Sequence, residues 1–226
     1  MIRKVFVALV AAFAFGVGGM AHATPVLQMG SFISSPNYSN GFEGFGTTGV
    51  GSRVDYAEGG IRLQSGNSPY GVISRTNFGT SVWPGPGNFV AYQQQNYATI
   101  TLTSGEDFQS FQFAASTGFG SPSVLAYQLL NNGAVVLTGT VANPAFCCNS
   151  SGGTFMTLGF TGGGFDEVRL QDYVNISAFN PSLNESYLTL DNMLATVSTV
   201  PEPATLALLG FGLLGFGRRR RKAKAA

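Results

Sequence analysis

Apolar residues in the middle of this chain recur at alternate positions, in short runs broken by glycine and proline, and no helical period persists between the breaks. Tyr97 to Thr103 sets Ile100 and Leu102 on one side and Thr99, Thr101 and Thr103 on the other. Phe111 and Phe113 share a face. The runs 124–130 and 135–137 flank Asn131-Asn132-Gly133, and Asn-Gly between apolar runs predicts a two-residue hairpin turn. Met156, Leu158 and Phe160 alternate, as do Val168 and Leu170. A last strand starts at Leu188 and Leu190 and ends near Val197, and two earlier ones cover 59–63 and 88–92. Eight or more short strands with turn signals every 8–12 residues or so predict an all-β antiparallel sandwich or barrel. Residues 24–199 are long enough for one domain with a real core, and no linker divides them.

The two ends have a different pattern. Arg3 and Lys4 precede an apolar stretch from Val5 to Val17, and Ala21-His22-Ala23 is a small-x-small cleavage site. Residues 1–23 are therefore expected to be a signal peptide, with the mature chain starting at Thr24. At the other end, Val200-Pro201-Glu202-Pro203 leads into an apolar run from Ala204 to Gly217, followed by Arg218, Arg219, Arg220, Arg221 and Lys222. A spanning helix needs about 20 apolar residues. This run is fourteen residues long, four of them Gly. It would reach across a bilayer only with its arginines snorkelling and the membrane thinned, and the basic cluster is expected to stay cytoplasmic.

Residues 200–226 resemble the PEP-CTERM sorting signal of Gram-negative bacteria, a tail also known as the ice-binding protein C-terminal motif. The resemblance implies export, transient association with the inner membrane through a C-terminal hydrophobic helix, and cutting near Pro201-Glu202-Pro203 by an exosortase-type membrane protease. The destination it implies is the cell surface or the extracellular polysaccharide matrix. A plain tail anchor that is never cut is the other reading of the same residues.

Setting the ends aside changes the charge. Eight of the twelve basic residues lie in them, and residues 24–199 keep only Arg53, Arg62, Arg75 and Arg169 against ten acids, a balance of −6. Such a body has no electrostatic footprint for nucleic acid. The single histidine, His22, leaves with the signal peptide, and the body has no lysine. A Ser-His-Asp triad, a Cys-His pair, an imidazole zinc site and a Schiff-base lysine are thereby excluded within one mature chain. A non-enzymatic protein is expected.

The body also resembles the jelly-roll domains carried by PEP-CTERM proteins, which are similar to carbohydrate-binding modules. The carrying residues are Gly41-Phe42-Glu43-Gly44-Phe45, Phe165-Asp166-Glu167-Val168 and Leu190-Asp191-Asn192-Met193. The resemblance implies a jelly-roll-like β-sandwich and a structural calcium ion held by Glu43 and Asp191, acids that are otherwise two solvated edge residues. Trp83, before Pro84-Gly85-Pro86-Gly87, is a candidate for stacking on a sugar ring together with Tyr70 and Tyr92. Its other reading is a cover for one end of the core. Cys147-Cys148 falls in a loop of an exported chain. A strained vicinal disulfide, two free thiols and an intermolecular bridge all remain open. The Thr99-Thr101-Thr103 row is a single strand's solvent face rather than an ice-binding array. Glu106-Asp107 and Asp166-Glu167 are paired acids, but neighbours on a strand point to opposite faces, so neither dipeptide alone makes a glycosidase site. The leading function is glycan binding at the surface. A purely structural matrix protein and a secreted glycan hydrolase or lyase are the alternatives.

Overall fold

The computed structural model describes residues 24–45, 55–65, 72–74, 89–93, 96–117, 123–142, 145–146, 154–183, 186 and 188–197. Among these, the strands are β1 (Val26–Met29), β2 (Tyr38–Asn40), β3 (Asp55–Glu58), β4 (Ile61–Ser65), β5 (Val72–Ser74), β6 (Phe89–Gln93) and β7 (Ala98–Leu102). They continue as β8 (Phe108–Thr117), β9 (Ser123–Asn131), β10 (Ala134–Ala142), β11 (Ala145–Phe146), β12 (Met156–Phe165), β13 (Glu167–Val174) and β14 (Leu188–Val197). Among the described residues the helical content is a single 3₁₀ turn at Glu43–Phe45. Among the described residues no helix is long and apolar enough to cross a membrane. The predicted signal peptide and the predicted C-terminal helix lie outside them.

The strands form two sheets. The first has the order β1-β12-β8-β14-β6-β5, with β11 alongside β8 and β2 alongside β14. The second has the order β10-β9-β13-β7-β4-β3. Among the described residues every pairing is antiparallel except the short one between β11 and β8. The sheets face each other as a β-sandwich across one core, to which the first contributes Phe111, Phe113, Leu158, Phe160, Leu188 and Leu190. Ile61, Ile100, Leu125, Leu129, Val168 and Leu170 come from the second. These are the alternating positions that burial on one face of a strand requires.

Local chemistry fixes the joints. The β9–β10 hairpin turns through Asn132 and Gly133, both at positive φ (49° and 79°), the two-residue turn that matches strand twist. Between Thr161 and Phe165 the ladder breaks at Gly162-Gly163-Gly164, with φ of 102°, 70° and 73°. Three successive residues in that region are accessible essentially to glycine alone, and they carry the chain from the first sheet to the second. In β14 the register shifts between Asp191 and Leu194, with Asn192 at φ 47°. This bulge keeps Leu190 and Met193 both in the core and leaves Asp191 on the outer face. Phe42 is fully buried at φ 62°, held there because Asn40 Oδ1 accepts its N–H at 2.9 Å. Asn40 Nδ2 also donates to the Ile61 carbonyl at 3.0 Å, which ties the two sheets together.

Candidate functional site

Topology forces a crossing over the first sheet. β1 pairs with β12 on one side and β2 with β14 on the other, so residues 30–37 must span the outer face of β12, β8 and β14. The sequence supplies the attachment. Gln112 points outward from β8, is buried, and its Oε1 accepts the N–H groups of Phe32 (2.6 Å) and Ile33 (3.0 Å). Further on, Asn37 N donates to the Ala195 carbonyl at 2.9 Å, and Asn37 Oδ1 accepts from Val197 N at 3.1 Å.

This strap encloses a groove of about 450 Å³ against the sheet. Its floor is a line of hydroxyls across three neighbouring strands, Thr161 opposite Ser110 and Ser110 opposite Thr196. Phe32, Ser34 and Ser35 of the strap form the wall, and Gln28 of β1 contributes an amide. None of the described residues that line the groove is ionisable. Sequence reasoning missed this place because the strap has no periodicity and its position follows from the pairing of β1 and β2.

Farther along the same outer face lies a second polar patch. Thr189 pairs with Ser116, and both hydroxyls are fully buried with no hydrogen-bond partner among the described residues. Asp191, two residues on, is also fully buried, and its Oδ1 accepts from Asn192 N at 2.6 Å. Glu43 sits in the exposed 3₁₀ turn three residues beyond Asn40, whose partner is Met193. Because the β2–β14 pair is antiparallel, Glu43 and Asp191 leave the ladder at the same end. Tyr92 is in β6, with its Cα opposite that of Thr189. Trp83, Tyr70, Cys147, Cys148, Pro201, Glu202, Pro203 and Arg218 to Arg221 lie outside the described residues. No group of three or more His, Cys, Asp or Glu side chains converges as a metal site among the described residues.

The two acidic dipeptides do meet. Glu106, Asp166 and Glu167 line a depression of about 230 Å³ where the β7–β8 turn, the β9–β10 hairpin and the β12–β13 corner come together. Each carboxylate has a structural partner. Glu106 Oε2 accepts from the Tyr38 hydroxyl at 2.6 Å, Asp166 Oδ2 from Asn132 N at 2.8 Å, and Glu167 pairs with Arg169. The Tyr38 bond, followed by Ser104, holds Glu106 below the usual carboxylate range. A glycosidase acid needs the opposite shift.

The outer face of the second sheet is charged. Thr99 stands between Gln64 and Arg169, and Thr101 between Arg62 and Glu167, so the threonine row has no hydroxyl neighbours across the strands. Arg62 makes a two-point pair with Asp55 at 2.7 Å, and the Arg169 guanidinium lies 5.4 Å from the Tyr97 ring centre.

One carboxyl departs strongly from its ordinary state. Asp172, on the inner face of β13, is fully buried, and neither carboxylate oxygen meets hydrogen-bond geometry with any described residue. Burial raises its pKa from 3.8 to about 7, against a smaller opposing pull from the nearby Thr117 and Ser123 hydroxyls.

The fold and these sites define an all-β sandwich with an uncharged, hydroxyl-floored groove on one face and ion pairs on the other. Beyond the sandwich, residues 199–222 match the PEP-CTERM protein-sorting motif. The motif implies export and a place at the cell surface or outside the cell. The comparison with curated proteins finds no match. Among solved structures, a carbohydrate-binding module from Clostridium stercorarium in complex with cellobiose is similar to this chain. The identity is 14%, over 67% of this chain and 98% of that one, with a TM-score of 0.32.

Proposed function

We propose that this is an exported, non-enzymatic surface or extracellular-matrix protein, sorted by an exosortase-type membrane protease, whose sandwich binds glycan. The observation that carries the sorting is the motif at residues 199–222, with Pro201-Glu202-Pro203 ahead of a marginal apolar run and the Arg218–Arg221 cluster behind it. A run of only fourteen residues holds a membrane weakly, which suits a temporary stop before cleavage. Glycan binding is supported by a body of low charge with an uncharged polar groove. A hydrolase is the weaker alternative, because the carboxylates that share a depression are each tied to a structural partner. A purely structural matrix protein remains the close second reading. Intact-mass analysis of protein recovered from the cell surface or medium, followed by a glycan array, tests the proposal. Loss of residues 1–23 and of the Arg218–Lys222 end, with array binding and no sugar release, is the expected result. A stable form that keeps the basic end refutes the cutting, and silence on the array leaves the matrix role.

A structural calcium ion belongs to the same proposal. Glu43 and Asp191 leave one end of the β2–β14 ladder and offer carboxylate oxygens, the ligands calcium prefers, and Asp191 shares a face with two further buried oxygens, the Ser116 and Thr189 hydroxyls. An ion bound only by the folded state stabilises it by about 2.7 kcal/mol at a hundredfold excess over Kd. Calcium added to chelator-treated protein should raise the melting temperature by several degrees, and Asp191→Ala should remove that rise. An unchanged melting temperature in folded protein leaves both residues as ordinary acids.

A further inference from the structure

We propose that the groove under the 30–37 strap is the glycan site, and that it takes an uncharged sugar chain. The inference rests on the glycan-binding reading above and assigns it to a place and a ligand class. The first argument is shape. About 450 Å³ falls within the roughly 300–1,000 Å³ of small-molecule sites, and the strap holds it open because Gln112 anchors two successive backbone N–H groups. The wall therefore does not have to order when a ligand arrives, and the entropic cost of binding is small.

The second argument is the match of bonding groups. Thr161, Ser110 and Thr196 each offer a hydroxyl that donates and accepts, and the Gln28 amide does both as well. Sugar hydroxyls have the same dual character, so such a floor pairs with them in several orientations. The half-buried Phe32 ring at the wall supplies the apolar surface that a pyranose C–H face needs. A β-strand peptide is a poor fit, because the floor consists of central strands whose backbone groups are already paired on both sides.

The third argument is charge. Recognition of a uronate or sulfate relies on arginine or lysine, and none of the described residues that line the groove is either. Arg62 and Arg169 are on the other sheet, each paired with an acid. The net −6 of residues 24–199 also opposes the approach of a polyanion.

Affinity electrophoresis of the full chain in detergent separates the outcomes. The gels contain a neutral polysaccharide (hydroxyethylcellulose, xylan or dextran) or polygalacturonate. Retardation by at least one neutral polymer is expected, unchanged between about 0.05 and 0.5 M salt, where charge screening differs severalfold. Phe32→Ala and the pair Thr161→Val with Thr196→Val should each weaken it by roughly tenfold or more, about 1.4 kcal/mol. Ser110→Ala, the mildest change, serves if those variants melt early, and it should weaken retardation by a smaller factor. Arg62→Ala, on the outer face of the other sheet, should leave retardation intact. Retardation that survives the groove variants but is lost in Trp83→Ala, or that occurs only with polygalacturonate, overturns the assignment while leaving glycan binding in place. No retardation by any polymer removes both.

Discussion

The two ends of the core are built from opposite materials. Along the inner face of β8 the side chains run Phe108, Phe111, Phe113, Ala115 and Thr117. At the first end Phe108 stacks on Phe165 at 5.2 Å between ring centres and meets Phe111 at 5.3 Å, while Phe160 touches Tyr127 at 5.0 Å. At the second end Thr117 faces a polar group of Ser123 from β9 and Asp172 from β13, and Ser186 Oγ accepts from Asp172 N at 3.2 Å. One strand thus begins in a phenylalanine cluster and finishes beside a buried carboxyl. The aromatic end is packed from fully buried rings that touch one another. The polar end carries a cost that depends on pH. No charged side chain among the described residues faces Asp172 from the packed strands. The inward positions nearby are Ala115 of β8, Leu125 and Tyr127 of β9, and Leu188 and Leu190 of β14, while Glu167, Arg169 and Asp191 are on outer faces.

The aromatic end gives the largest expected effect. Phe108→Ala removes a fully buried ring and two aromatic contacts, and such truncations cost about 3–5 kcal/mol. Denaturant unfolding at neutral pH should show a midpoint lowered accordingly with an unchanged slope. A loss below about 1 kcal/mol would mean that the cluster collapses around the gap, and the contrast between the ends would lose its basis.

Asp172→Asn tests the opposite end. The folded-state pKa is raised above the unfolded value, from 3.8 to about 7, so the folded protein keeps a proton that the unfolded chain releases. The group's contribution is harmless below pH 4, declines as pH rises through that window, and is fully unfavourable above 7. The size is on the order of a few kcal/mol. The asparagine variant should therefore match the parent near pH 4 and exceed it in stability at pH 8. Equal stabilities at both pH values would show that Asp172 is ionised and satisfied in the folded state.

Much of this architecture was readable from residues. The alternation of Ile100 and Leu102, of Leu158 and Phe160, and of Val168 and Leu170 placed β7, β12 and β13 with the correct faces inward, and Asn132-Gly133 placed the hairpin. Other parts were silent. β1 has an exposed edge pattern, with Val26 and Met29 half exposed or more, and no periodicity distinguishes it. The pairing of the two acidic dipeptides around one depression needs the corner at Gly162-Gly163-Gly164, which in the sequence looks like a loop rather than a bend within β12. Asp172 was hidden for the converse reason. It continues the inward series Val168, Leu170, and only its neighbours across the core reveal that a carboxyl has been placed where an apolar residue would fit. The strap was legible only as a consequence of topology, since a single glutamine side chain fixes it.

The smallest expected effect gives the finest view of the polar end. Burial dominates the shift at Asp172, and the Thr117 hydroxyl works against it by favouring the ionised form. Thr117→Val keeps the shape and removes that hydroxyl. The proton should then be held more tightly in the folded state, and the decline in stability should extend to higher pH. At pH 4, where Asp172 is protonated in the folded protein, the hydroxyl contributes little and the variant should resemble the parent. At pH 8 it should be less stable by about 1 kcal/mol, below the worth of a full hydrogen bond to a charged group, because the Thr117 contact falls short of hydrogen-bond geometry and Ser123 shares the pull. Combining Thr117→Val with Asp172→Asn should erase this pH dependence, because the carboxylate that the hydroxyl favours is gone. A loss at pH 8 that persists in the double variant would assign the effect of Thr117 to packing at the end of β8, and the two ends of the core would then differ in shape rather than in charge.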